Sequence, residues 1–77
     1  MMDAETIRQR ICANIPDASV EVDDLTGTHD HFQVRVTSPT FRGKSIVDQH
    51  RLVYGALGDA MQADIHALVV RTLAPAP

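Results

Sequence analysis

"HFQVRVTS", residues 31–38, decides the fold. Phe32, Val34 and Val36 alternate with His31, Gln33, Arg35 and Thr37. A period of two sends successive side chains to opposite faces, so the segment reads as a strand with one face covered and one open. Such a strand needs neighbours and a covering layer, and the rest of the chain must supply them. Just upstream, Val20 and Val22 alternate with Ser19, Glu21 and Asp23, which predicts a second half-buried strand. The intervening "DDLTGTHD", residues 23–30, is polar and contains Gly27, so it reads as a loop. Two strands this close in sequence pair most economically as an antiparallel hairpin.

The cover comes from helical patterns on either side. In residues 3–14, Ala4, Ile7 and Ile11 recur at helical spacing, with Ile15 just beyond. Asp3 is a capping residue, Glu5 suits the first turn, and Pro16 ends the run. After the 31–38 strand, "PTFRGK" reads as a second loop. Ser45 and Asp48 then fit a capping pattern, and Ile46, His50, Val53, Leu57 and Met61 form an amphipathic stripe. Gly55 and Gly58 weaken that helix and predict a bend or a split into two. Residues 65–73, rich in Leu and Val, read as a third strand, and "APAP" as an unstructured end. The expected class is α+β: one domain over residues 1–77, ordered α-β-β-α-(α)-β. A three-stranded sheet carries its helices on one face, and residues 1–2 and 74–77 are tails.

Composition bounds the function. A chain of 77 residues with 44% hydrophobic and 22% charged residues is globular in type and limited to one domain. No apolar run approaches the ~20 residues that span a bilayer, and the first residues lack the pattern of a signal peptide. Cys12 is the single cysteine, so no internal disulfide forms. These features predict a cytoplasmic protein without membrane contact. The net charge of -3 argues against unspecific nucleic-acid affinity. Even so, Arg35, Arg42, Lys44 and Arg51 face only Asp48 within residues 31–51, which leaves a local basic patch. No catalytic constellation is visible, so a binding module is expected rather than an enzyme.

Several of these segments together carry a family likeness. "HFQVRV", the Ser, Phe and Gly of "SPTFRGKS", "HRLVY", and "IHAL" leading to "TLAP" resemble the BolA family in order and spacing over residues 5–75. The short chain and its "HFQV" start are more similar to the compact IbaG (YrbA) branch than to longer BolA proteins. The resemblance implies a fold like a type II KH domain, in agreement with the element order above. It also implies an adaptor that pairs with a monothiol glutaredoxin and shares a 2Fe–2S cluster with it and with glutathione, with no cofactor in the isolated chain. A role in iron–sulfur trafficking, iron or redox regulation or the stress response follows from the same likeness. The alternative role it implies is a DNA-binding transcription regulator. One departure stands out. KH domains clamp nucleic acid with a Gly-x-x-Gly loop, whereas "FRGKSI" has only Gly43.

Candidate sites follow. A lone histidine at an apolar strand is ordinarily a core residue bonded to a carbonyl, but the family's "IHAL" histidine is a cluster ligand, and that position is His66. Imidazole suits Fe–S iron and raises the cluster potential relative to thiolate. The family's second ligand lies in the loop between the first two strands, which points to His29, with His31 as alternate. His50, on the helical stripe, reads as a packed, hydrogen-bonded residue, and Tyr54 and Cys12 as structural. Arg42, Lys44 and Arg51 surround the start of the second helix, whose N-terminus favours phosphate. They are the candidate nucleic-acid contacts, and the same patch suits an acidic glutaredoxin surface or the carboxylates of glutathione. Alone, the chain is expected to be a monomer or a weak homodimer.

Overall fold

The computed structural model, which describes residues 3–27, 31–59 and 67–75, opens with Asp3 capping a helix over Ala4–Asn14 (α1). The Asp3 carboxylate accepts from the Thr6 N–H at 2.8 Å, which satisfies one of the unpaired donors of the first turn. Ile7 and Ile11 are fully buried, as their spacing predicts, and Ile15 joins them just past the helix. On the solvent side, Arg8 Nε donates to Glu5 at 2.9 Å. That hydrogen bond holds the Glu5 carboxyl below its ordinary pKa and pushes the Arg8 guanidinium upward.

The strands Ser19–Asp24 (β1) and His31–Thr37 (β2) pair antiparallel, with Ser19 opposite Thr37 and Asp24 opposite Phe32. The hairpin of the sequence reading is therefore present, closed by Leu25 N–H donating to His31 O at 2.8 Å. The third strand, Ala67–Leu73 (β3), lies parallel to β2 on its other side, giving the order β1-β2-β3. A parallel neighbour requires a crossover, and the helix Ile46–Leu57 (α2) lies within that connection. The strand expected from residue 65 is described from Ala67 onward, and the short extra helix expected before it falls outside the described residues.

Phe32, Val34 and Val36 are fully buried, and Val20, Val22, Leu68 and Val70 flank them from the outer strands. Ile7, Ile11, Val53 and Leu57 cover this face. The opposite face carries Glu21, Arg35 and Arg71 in one row across the three strands. All three are exposed, so the sheet is one-sided in the predicted register.

Two local expectations are corrected. The "PTFRGK" segment is more than a loop: Pro39–Phe41 forms a 3-10 turn capped by Ser38, and Phe41 is buried in the core. Ser38 is itself buried, donating to Pro16 O at 2.7 Å and accepting from Thr40 N–H at 3.2 Å. The buried stripe of α2 is rotated from the predicted one. It runs through Gln49, Val53, Ala56 and Leu57, whereas Ile46 is 61% exposed and His50 half-buried. Met61 lies outside the described residues. The rotation has a polar cause: Gln49 Nε2 donates to Lys44 O at 2.9 Å and Phe41 O at 3.3 Å, so an amide fills a core-facing position. Ser45 caps α2 as predicted, its hydroxyl accepting from Asp48 N–H at 3.1 Å. The helix runs unbroken through Gly55 and stops at Gly58, whose φ of 58° favours glycine.

Candidate functional site

His31 is the first residue of β2, and its register partner across the parallel ladder is Ala67, the first residue of β3. In the sequence, His29 precedes His31 by two residues and His66 precedes Ala67 by one. The parallel pairing thus starts both strands at one end of the sheet, immediately after the two histidine-bearing segments. His29 and His66 themselves lie outside the described residues. At this end His31 is half-buried, its carbonyl fixed by the Leu25 N–H. Beside it, Asp24 accepts from Gly27 N–H at 2.9 Å and Thr26 N–H at 3.3 Å, a side-chain turn just past β1.

Of the three candidate ligands, His31 is the one within the described residues. Imidazole coordinates Fe–S iron as a neutral ligand, and a ring mounted on a hydrogen-bonded strand start is held against rotation of the chain. Among the described residues no three His, Cys, Asp or Glu side chains converge on one point. Cys12 is half-buried on α1, its Sγ 3.8 Å from both Ala18 O and Arg8 Nη1, and it belongs to the α1–β1 packing.

Of the three candidate basic residues, Arg42 and Lys44 precede α2 and Arg51 lies in its second turn, and two of them are engaged. Arg42 donates from Nε and Nη2 to Pro75 O at 3.3 and 3.1 Å. Arg51 reaches Asp48 at 3.5 Å across one helical turn. Lys44 is exposed, its carbonyl held by Gln49. Tyr54 is exposed on α2 and takes no core position. His50 lines an open groove of about 380 Å³ with Arg35, Ile46, Val70, Arg71, Thr72 and Leu73. Sequence patterning passed over this groove, because Arg35 and Arg71 come together only through the register of β2 and β3. No helix among the described residues is long and apolar enough to cross a membrane.

Comparison with known proteins adds to this geometry. The model of the BolA-like protein family matches residues 11–77. A BolA homologue from Coxiella burnetii has the same fold, with a TM-score of 0.83 and 38% identity over 97% of this chain and 94% of that one. The SufE-like protein 1 of Arabidopsis thaliana is 31% identical over 91% of this chain, which spans only 23% of that longer protein. The BolA domain of Arabidopsis SufE1 superposes with a TM-score of 0.81 at 30% identity, covering 97% of this chain and 96% of the domain. The DNA-binding transcriptional regulator BolA of Escherichia coli is 29% identical over 94% of this chain and 75% of its own length. The chain belongs to the BolA family.

Proposed function

We propose that this protein is an adaptor that binds a monothiol glutaredoxin and co-ligates a 2Fe–2S cluster with it and with glutathione, in iron–sulfur trafficking or iron and redox regulation. The observation that carries the reading is the parallel register that pairs His31 with Ala67. It starts β2 and β3 together, directly after His29 and His66 in the sequence. His66 is the principal ligand, and His29, or His31 in its stead, is the second. The cluster supplies iron and electrons; this chain supplies imidazoles and a rigid mount. The remaining ligands come from the partner. The existence of a BolA domain within a SufE protein supports a place in iron–sulfur chemistry. The "HFQV" opening of the central strand supports the compact IbaG-like branch, and the element order supports kinship with type II KH domains. The site of action is the cytoplasm.

The test is reconstitution: the chain, a monothiol glutaredoxin, ferrous iron, sulfide and glutathione are mixed anaerobically, and visible absorption and circular dichroism are recorded. A 1:1 complex whose spectrum differs from that of the glutaredoxin's own cluster is expected. A spectrum equal to the sum of the separate proteins overturns the proposal.

The second reading, a DNA-binding regulator, is supported by the likeness to the Escherichia coli regulator and by the exposed Lys44, just before α2, and Arg51, in its second turn. Under it, Arg42→Ala or Lys44→Ala weakens binding to all sequences and flattens the log-salt slope by about one unit each. Equal affinity and slope in both variants reject these contacts.

A further inference from the structure

Among the described residues β3 pairs only with β2, so its far side is a free sheet edge. The Leu73 carbonyl accepts from Ser38 N–H at 3.0 Å, on the β2 side. Both backbone groups of a strand residue point to one side, and the side alternates along the strand. The N–H and C=O groups of Leu68, Val70 and Thr72 therefore face outward, as a template for another strand. The groove of about 380 Å³ follows this edge, with Val70, Thr72 and Leu73 along it and Ile46 and His50 of α2 as its opposite wall. Ile46 and Leu73 are 61% and 55% exposed, so the apolar part of the wall is open to a ligand.

Charge selects the occupant. Arg35 and Arg71 are directly opposite in the β2–β3 register and both line the groove. Glu21 neutralises Arg35 at 2.8 Å, whereas Arg71 has no carboxylate partner among the described residues. Like charges opposite each other on neighbouring strands repel, and a carboxylate placed on the next strand out relieves that repulsion. We propose that the edge of β3 is a docking site for an acidic, extended peptide segment of a partner protein, which adds as a fourth strand. Its backbone pairs with Val70 and Thr72. One side of its pleat sets a carboxylate against Arg71, and the other, toward α2, sets an apolar residue against Ile46. The ligand pattern is thus alternating acidic and apolar residues. The apolar wall favours a peptide, which carries apolar side chains, over a nucleic acid. Leu73 is six positions from Ala67 along β3, about 20 Å at the ordinary strand rise, so this surface is separate from the histidine end and does not rest on the cluster reading.

The probe is a fluorescein-labelled hexapeptide of alternating glutamate and valine, titrated with the full chain and followed by anisotropy, with amide hydrogen exchange on the complex. Comparison arms use a lysine–valine hexapeptide, a glutamate–valine peptide N-methylated on alternate amides, and oligothymidylate. The expected result is binding of the first peptide alone, with slowed exchange at Val70 and Thr72. Arg71→Glu, on the open face, should lower that affinity by about tenfold or more and create affinity for the lysine peptide. Undiminished binding of the N-methylated peptide, equal binding of both charge types, tighter binding of oligothymidylate, or no binding at millimolar peptide each overturns the proposal. Concentration-dependent chain association that protects the same amides does so as well, since the acidic β1 edge of a second copy would then be the occupant.

Discussion

The Thr72 hydroxyl donates to Gln49 Oε1 at 2.5 Å, which ties β3 to the one polar side chain buried along α2. The same Gln49 amide donates to the carbonyls of Phe41 and Lys44, so one side chain joins the 3-10 turn, the loop after it, α2 and the edge strand. Polar groups sequestered from water cost free energy when unpaired, which makes this bracket fold-specific.

Gln49→Ala removes the partner of the Thr72 hydroxyl and of the Lys44 carbonyl, while Phe41 O keeps the Lys44 N–H. It should destabilise the domain by about 1–3 kcal/mol, measured by urea unfolding. A loss of a few tenths of a kcal/mol or less would mean that water replaces the bracket at no cost.

Phe32→Ala removes the largest fully buried side chain of β2 and should cost about 3–5 kcal/mol. Gln33→Ala, one residue along on the open face, should stay within about 0.5 kcal/mol. Equal costs in denaturant titrations would contradict the one-sided sheet.

These two positions show what patterning reveals and what it misses. The alternation of Phe32, Val34 and Val36 is a property of a single strand, so the covered face, the hairpin and the α1 stripe were legible from the residues alone. The α2 stripe was misplaced toward Ile46 and His50, because apolar periodicity gives no credit to a glutamine whose hydrogen bonds are satisfied in the interior. Phe41 was passed over because it sits in a Pro–Gly-rich segment that has no period. Of the candidate site, the histidine types and their nearness to strand starts were legible. The juxtaposition of those starts was not, since it depends on the parallel pairing of segments far apart in sequence.

Glu5 supplies a pH-dependent prediction. The Arg8 hydrogen bond lowers its carboxyl pKa in the folded state, while the unfolded chain has the ordinary value near 4.5. Its stabilising contribution is therefore complete above that value and disappears as pH falls through the lower folded value. Wild type and Glu5→Gln should differ by a constant amount from neutral pH down to about 4.5, then converge at more acid pH. Urea midpoints across a pH series check this; a gap that widens on acidification would contradict the assignment.

Ser45→Ala removes the hydroxyl that accepts from Asp48 N–H and should cost about 1 kcal/mol. Ser45→Asp, which retains an acceptor at the cap, should recover most of that loss. Thermal melts of the two variants side by side distinguish a capping role from a general effect of substitution.

The central claim is that a histidine at the shared start of β2 and β3 ligates a cluster held jointly with a glutaredoxin. Its most direct measurement is the visible circular dichroism and lifetime of the reconstituted mixed complex for wild type, His66→Ala and His50→Ala. The core is built from apolar residues such as Ile7, Phe32 and Leu57, so apo His66→Ala should fold. The account predicts that the His66 variant gives an altered spectrum or a shortened cluster lifetime, while His50→Ala gives the wild-type spectrum once folded. A His66→Ala complex with the wild-type spectrum and lifetime would contradict it.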